Sequence, residues 1–334
     1  MEHTHILLAH GNGGRFMHEL ISEIFAGGLG DVGPNTQLDA APVTLPFDGQ
    51  LLTTTDGFTV QPLEFPGGDI GSLAVHGTVN DLSVAGADPV SLTLNAFIEE
   101  GTEVALLRRL VASMADAARD AGVRIVAGDT KILRRGEGGG VYFATAGIGV
   151  RPHHVELSMA HIQAGDKLLV SGPVGDHGTA VMLAREDFGL RGDLRSDAAS
   201  VLPITQALRG MSGVRFMRDP TRGGIATVSH ELAQSTGLKV RLLEAALPVR
   251  EPVKAVCEIL GYDPYYLACE GRVVAVVSAE EAEQALMAMH GAGATEAAIV
   301  GSVETGQAQA IVETELGGER MLLELEDDPL PRIC

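Results

Sequence analysis

The sequence predicts a two-domain α/β (α+β) protein, and three features carry that prediction. Short β-branched or apolar runs alternate with helical apolar patterns through both halves, as expected of sheets covered by helices. Forty-two glycines against 4% aromatic residues imply many tight turns and close backbone approaches. At Arg151-Pro152-His153-His154 the chain leaves a long strand pattern for a polar, proline-interrupted joint, after which a fresh series of elements begins. With 334 residues and 45% hydrophobic content, each half can bury a core. The expected division is 1–150, 151–326 and a mobile tail over 327–334.

In the first half, a short apolar run leads to His10-Gly11-Asn12-Gly13-Gly14-Arg15, a glycine loop opening a helix whose apolar residues Phe16, Leu20 and Ile24 recur every fourth position. Amides at a helix start can hold phosphate, although such a loop can equally serve only to turn the chain. Leu51-Leu52-Thr53-Thr54-Thr55 predicts a strand with Asp56-Gly57 at its end. Residues 70–86 predict a helix carrying Asn80-Asp81 and closed by Ala87-Asp88-Pro89. A buried strand over 91–98 and an amphipathic helix over 104–118 follow. A strand over 123–127 then delivers Gly128-Asp129-Thr130-Lys131, and a glycine-rich loop at 136–140 leads to a strand over 141–150.

In the second half, strands are expected over 168–172, 214–217, 240–243 and 272–277, with short ones after Ile299. Helices are expected over 177–186, 198–209 and 252–260, with another ending near Gln234. The strand at 214–217 runs into Arg218-Asp219-Pro220-Thr221-Arg222-Gly223-Gly224.

The balance of 24 basic against 44 acidic residues, a formal net charge of -20, argues against nucleic acid or an anionic membrane surface as a partner. A nucleotide such as ATP would need metal ions. No apolar run approaches the roughly 20 residues of a membrane span. The start, Met1-Glu2-His3-Thr4-His5-Ile6, lacks the basic region of a signal peptide, so a cytoplasmic location is expected. Three cysteines, Cys257, Cys269 and Cys334, without Cys-x-x-Cys spacing suggest neither a disulfide framework nor a zinc site. Cys257 shares a helical face with Val253, Val256 and Leu260 and reads as core packing. Cys334 ends Asp327-Asp328-Pro329-Leu330-Pro331-Arg332-Ile333-Cys334, where two prolines disfavour helix and strand pairing and stiffen an arm of about 25 Å. Such an arm can present a thiol at its tip; a frayed terminus is the alternative.

Asp56, Asp81, Asp129 and Asp219 recur at turns or element ends, Asp56 and Asp129 directly beside glycines, with Lys131 close to Asp129 and Arg218 and Arg222 bracketing Asp219. Carboxylate oxygens of this kind suit Mg²⁺, which fills its octahedron with water and nucleotide phosphate. For Asp219 the alternative is a helix cap, since Asp-Pro is favoured at a helix start. The chain has neither Gly-x-x-x-x-Gly-Lys-Ser/Thr nor Gly-x-Gly-x-x-Gly before a helix, so another phosphate-binding architecture is needed.

Thr55-Asp56-Gly57, Asn80-Asp81-Leu82-Ser83-Val84-Ala85-Gly86-Ala87-Asp88-Pro89, Gly128-Asp129-Thr130-Lys131 and Asp219-Pro220-Thr221-Arg222-Gly223-Gly224 together resemble the PurM-like (AIR synthetase-related) ATP-dependent superfamily. Within it, the His10–Arg15 loop and Pro331-Arg332-Ile333-Cys334 make the whole chain resemble the HypE family, the carbamoyl dehydratases of NiFe-hydrogenase maturation. The resemblance implies a PurM-like fold with an N-terminal ATP-binding and dimerisation domain and a C-terminal α+β domain. It implies a homodimer and ATP in a groove of the first domain, covered by Gly11, Asn12, Gly13 and Gly14. Asp129, Thr130 and Arg222 would add to the nucleotide site, and Asp56, Asp81 and Asp219 would associate with Mg²⁺.

The resemblance further implies that Cys334 is loaded as an S-carbamoyl thioester by the carbamoyltransferase HypF. It would leave as a thiocyanate whose cyanide passes to iron on a HypC-HypD complex. Lys131 would stabilise the transferred phosphoryl group, and a lysine desolvated enough can also share protons. Glu270, in Leu267-Ala268-Cys269-Glu270-Gly271-Arg272 before a strand, would be the base, with a solvated turn residue as the alternative. Cys269 beside it is expected to be a buried small residue. Aminoimidazole ribonucleotide synthetase and thiamine-phosphate kinase share the fold without needing Cys334. Selenophosphate synthetase uses a cysteine or selenocysteine near its N-terminus, whereas no cysteine here precedes Cys257. From another class, a noncatalytic scaffold could use the tail as a peptide ligand.

Overall fold

A computed structural model describes residues 1, 3–36, 40–185, 192–325 and 333; the expectations for Glu186, residues 327–332 and Cys334 lie outside the described residues. The described chain forms two units, one of residues 1–82, 87–152 and Ile333, the other of 83–86 and 153–325.

The first unit is built on a four-stranded sheet of β1 (Gln50–Phe58), β2 (Asp88–Glu99), β3 (Arg124–Leu133) and β4 (Val141–Arg151), in the order β1-β4-β2-β3. Only β2 and β3 run parallel, joined by the crossover helix that parallel neighbours require. Helices α1 (Arg15–Leu20), α2 (Ile70–Val84) and α3 (Val104–Asp120) belong to this half of the chain. On α3, Leu107, Leu110, Val111 and Met114 are fully buried at the i, i+3, i+4, i+7 spacing of one helical face.

The sheet is two-faced. Phe143, Thr145 and Gly147 of β4 and Leu92, Leu94 and Ala96 of β2 are buried, while the alternate positions are not. The more open face carries small or polar residues such as Thr53, Thr55, Ala146, Thr93 and Asn95. Two sequence expectations change here. Strand β1 does not end at Asp56 but pairs through Phe58 with Phe143, and β3 continues through Lys131 to Leu133. Both carboxylates therefore sit within strands, because ladder pairing overrides the weak strand propensity of Asp and Gly.

The second unit holds a seven-stranded sheet in the order β11-β10-β7-β9-β5-β8-β6, from β5 (Lys167–Val170), β6 (Val214–Arg218), β7 (Lys239–Leu243), β8 (Val274–Val277), β9 (Ala298–Glu304), β10 (Gln309–Glu313) and β11 (Glu319–Met321). Its helices are α4 (Asp176–Arg185), α5 (Leu202–Leu208), α6 (Gly224–Thr236), α7 (Glu251–Leu260) and α8 (Ala282–Gly291). Alternate strand residues enter different cores. Leu168, Val170, Val274 and Val276 pack with Ile225 and Leu232 of α6, while Leu169, Ala275 and Val277 pack with Ala282, Ala285 and Met289 of α8. Central strands buried on both faces read as continuous apolar runs, as Val273-Val274-Ala275-Val276-Val277 does.

Helix α8 has no counterpart in the sequence expectations, because its buried stripe is mostly alanine and contrasts weakly with its surface. The helix expected over 198–209 shrinks to α5. Pro203 lies in its first turn, where the missing N–H costs nothing. No helix among the described residues is long and apolar enough to cross a membrane.

Candidate functional site

In the first unit, β1 and α2 bring two of the sequence-predicted carboxylates onto facing surfaces. Thr54 Oγ1 donates to Asp81 Oδ2 at 2.7 Å, and Thr54 and Asp56 share one face of β1. On α2, Asp81 follows Gly77 by one turn. A Cβ at Gly77 would lie 3.7 Å from Asp56 Oδ2 and 2.8 Å from the Phe58 ring, so glycine lets the strand approach the helix this closely. Asp56 Oδ1 also accepts from the Gly57 amide at 2.7 Å. Threonines cross-brace the floor, with Thr78 and Thr145 sharing a short hydroxyl–hydroxyl bond and Thr55 Oγ1 donating to Thr145 O at 3.0 Å. Two oxygen-rich side chains on opposed elements can hold a hard cation.

Asp129, Thr130 and Lys131 lie elsewhere on the sheet. The register runs Gly57–Ala144–Asn95–Asp129 across β1, β4, β2 and β3. Asp56 and Asp129 thus occupy opposite edge strands, about 14 Å apart at three strand spacings. Adjacent registers also put them on opposite faces. Lys131 Nζ donates to Asp129 Oδ2 at 2.5 Å and holds that carboxyl below its usual range. The Lys131 side chain is 62% exposed, so the desolvation expected of a proton-sharing lysine is not met within this chain.

The glycine loop runs beside the same strand, since a Cβ at Gly11 would stand 3.1 Å from Ile132. His10 anchors its start, buried, with Nδ1 accepting from the Leu7 amide at 2.9 Å; burial pushes its pKa down. Gly13 takes φ +75°, which favours the glycine found there. Gly14 caps α1, which is only six residues long and continues as a π-turn through Ala26. A cavity of 260 Å³ opens by Asp129 and Thr130, walled by Met17, Ile21, Phe25 and Leu94. Its apolar wall was not legible in sequence, because Met17, Ile21 and Phe25 lie one position beyond the Phe16, Leu20 and Ile24 repeat that marks the helix.

In the second unit, the 219–224 loop and the 265–270 segment are tied together. Cys269 N–H donates to Pro220 O at 3.0 Å. Gly224 has φ +56°, and a Cβ there would stand 2.6 Å from the carbonyl oxygens of both Leu267 and Tyr265. Gly224→Ala is therefore expected to destabilise the protein by at least about 2 kcal/mol, read as a lower denaturant midpoint. Asp219 is buried, and Gly223, not Asp219, is the N-cap of α6, so capping does not account for it. Arg222 follows on the same loop, while Arg218 is engaged with Glu231 at 3.3 Å. This brings Asp219, Arg222 and Glu270 onto two tethered segments.

Glu270 is 3% exposed, which overturns the solvated-turn alternative. Cys269 is fully buried, and burial pushes its thiol well above the usual range. Its Sγ accepts from the Gly175 amide at 3.2 Å, so it is a packing residue, as is the buried Cys257, pushed up to about 11. No sequence pattern signalled the charged cluster beside Glu270. Asp176, Asp197, Arg250 and Arg272 line a 770 Å³ cavity, with Arg250 Nε 2.9 Å from Asp176 Oδ2. Burial nonetheless raises the Asp176 pKa.

Comparison with known proteins agrees with the fold. The N-terminal domain of the AIR synthase related protein family matches residues 37–151, and its C-terminal domain matches 163–313. The chain is 46% identical to carbamoyl dehydratase HypE of Azotobacter vinelandii, over 98% of this chain and 96% of that one. A crystal structure of the hydrogenase maturation protein HypE in complex with ATP superposes with a TM-score of 0.92 at 42% identity, covering 98% of this chain and 99% of that one. HypE from a HypE-HypF complex aligns at 0.79 and 42% identity, over 93% and 99%. The fold and near-complete coverage together make this chain a member of the HypE family of carbamoyl dehydratases, built from AIR synthase related domains.

Proposed function

We propose that this chain is an ATP-dependent carbamoyl dehydratase of NiFe-hydrogenase maturation, which converts an S-carbamoyl group on Cys334 into a thiocyanate. The observation that carries this reading is the end-to-end likeness to a HypE structure that holds ATP. Residues 1–150 would bind ATP and dimerise, 151–326 form the α+β domain, and 327–334 carry the thiol. Rival PurM-like activities and a noncatalytic scaffold would not account for end-to-end identity to carbamoyl dehydratases.

A carbamoyl amide does not lose water at neutral pH, because its oxygen is a poor leaving group. Attack of that oxygen on the γ-phosphate of ATP forms a C–O–P linkage, breaks the bond to ADP and, with release of one N–H proton to solvent, leaves an S-linked imidoyl phosphate. Loss of phosphate together with the remaining N–H proton then leaves S–C≡N, so one ATP is converted to ADP and phosphate for each water removed. Lys131 stabilises charge on the transferred phosphoryl oxygens, with Arg222 beside Asp219 supplementing it. Glu270 takes the N–H proton. The loop Gly11, Asn12, Gly13 and Gly14, with Asp129 and Thr130, covers the nucleotide.

Asp56 and Asp81 fit Mg²⁺, which takes one or two carboxylates and completes its shell with phosphate and water; Asp219 is the further candidate. Magnesium would neutralise the charge on the transferring group. The more open sheet face, with small side chains at Thr53, Thr55, Ala146 and Thr93, suits packing against a second copy. HypF is the proposed donor of the carbamoyl group and a HypC-HypD complex the acceptor of cyanide, all in the cytoplasm.

Intact-protein mass spectrometry after loading by the carbamoyltransferase tests the reading. The carbamoyl adduct on Cys334 is expected to become lighter by one water on addition of Mg-ATP. An unchanged adduct on folded, ATP-binding protein would sink it.

A further inference from the structure

The charged cluster next to Glu270 has no part in the chemistry above, yet it grips the backbone of that residue. Asp197, 9% exposed, accepts the Glu270 amide on Oδ1 at 3.1 Å. Its Oδ2 faces Arg272 Nε at 3.4 Å, and the same Nε donates to Pro173 O at 2.8 Å. Between these residues the two stretches of chain touch. A Cβ on Gly271 would fall 1.9 Å from Asp197 O, so no side chain fits and a shift of one backbone displaces the other. The turn that carries Asp197 is itself fixed. Ser196 Oγ accepts the Ala198 amide at 3.0 Å and bonds His177 Nδ1, buried on α4, at 2.8 Å.

The rest of the segment is held by neutral partners. Cys269 N–H goes to Pro220 O, and Ser171 exchanges bonds with Val273, its amide donating to Val273 O at 3.0 Å and its Oγ accepting at 2.9 Å. A backbone carbonyl would satisfy the Glu270 amide equally well. Burying a carboxylate for that task costs desolvation that a neutral acceptor avoids, and Arg272 is needed to offset it. The expense is explained if the orientation of Glu270 must be fixed more tightly than a turn carbonyl achieves.

We propose that Asp197 is a positioning residue for the dehydration step, acting through the Glu270 peptide to aim the Glu270 carboxylate at the N–H proton it removes. The proposal rests on Glu270 being the base. A displacement of about 1 Å at such a group can cost on the order of 10²-fold in rate.

The test is a single-turnover assay on S-carbamoylated protein with Mg-ATP, following water loss by mass, for wild type, Asp197→Ala, Glu270→Gln and the double variant. Asp197→Ala is expected to slow water loss by about 10²-fold, with the KM for ATP within about twofold of wild type. In the Glu270→Gln background the same substitution should add less than about threefold, because the two residues act as a unit. Asp197→Asn retains an acceptor oxygen for the Glu270 amide and should recover to within about tenfold of wild type. Should Asp197→Ala not fold, Asp197→Asn carries the same comparison, with a slowing that vanishes in the Glu270→Gln background.

A wild-type rate in both Asp197 variants alongside a slow Glu270→Gln would overturn the role of Asp197 and leave the base in place. Equal slowing in both backgrounds, or a KM for ATP that rises in step, would mean a merely structural part and also overturn it. A wild-type rate in Glu270→Gln would remove the base, and the positioning role with it.

Discussion

Alanine at Asp81 is expected to lower ATP-dependent turnover by about 10²–10³-fold while the protein keeps its fold. The carboxylate sits in the body of α2, half-buried, where Thr54 Oγ1 donates to it at 2.7 Å. Losing that bond costs about 1 kcal/mol, and the better helix propensity of alanine returns about half of it. The fold therefore tolerates the change. What it removes is one of two charges, Asp81 and Asp56, gathered where β1 meets α2. Asp81→Asn separates the roles, since the amide oxygen still accepts from Thr54 but brings no charge to a Mg-nucleotide. Both variants should be equally inactive, with thermal midpoints within about 2 °C of wild type and an unaltered circular dichroism spectrum. Normal turnover in either would remove Asp81 from the metal-binding set.

On the proposed homodimer, mixing two inactive variants, Asp81→Ala and Lys131→Ala, is expected to restore activity to about one quarter of wild type after subunit exchange. Within one subunit Asp56 and Asp129 stand on opposite edges of the four-stranded sheet, about 14 Å apart at three strand spacings. A single chain cannot bring both edges to one phosphate chain without breaking the ladder. Two copies packed on the more open face would set β1 of one beside β3 of the other. In random exchange half of the dimers are mixed, and each mixed dimer has one of two sites intact, hence the quarter. Absence of any recovery in verified mixed dimers would mean that each site is drawn from one subunit.

The sequence was sufficient for the elements with strong periodicity. The α3 stripe of Leu107, Leu110, Val111 and Met114 and the apolar run Val273–Val277 declare helix and buried strand because burial alone dictates their pattern. It also delivered the family, through Asp-Gly and Asp-Pro motifs whose spacing survives without any coordinates. It did not delimit β1 and β3, where ladder partners outweigh the poor strand propensity of Asp56-Gly57 and Gly128-Asp129. Nor did it show α8, whose alanine stripe is nearly silent to a hydropathy pattern.

For the site, residue types were legible and their grouping was not. Chain order says nothing about which strands are edges, so only the sheet order separates Asp56 and Asp81 from Asp129 and Lys131. The grip of Asp197 on Glu270 joins positions far apart in sequence through a backbone contact that admits only glycine at Gly271. What the sequence alone determined is the family, the fold class and the kinds of side chain at hand. The tertiary structure decided which of them meet, because proximity across a sheet or between loops is a property of register and packing that no local pattern encodes.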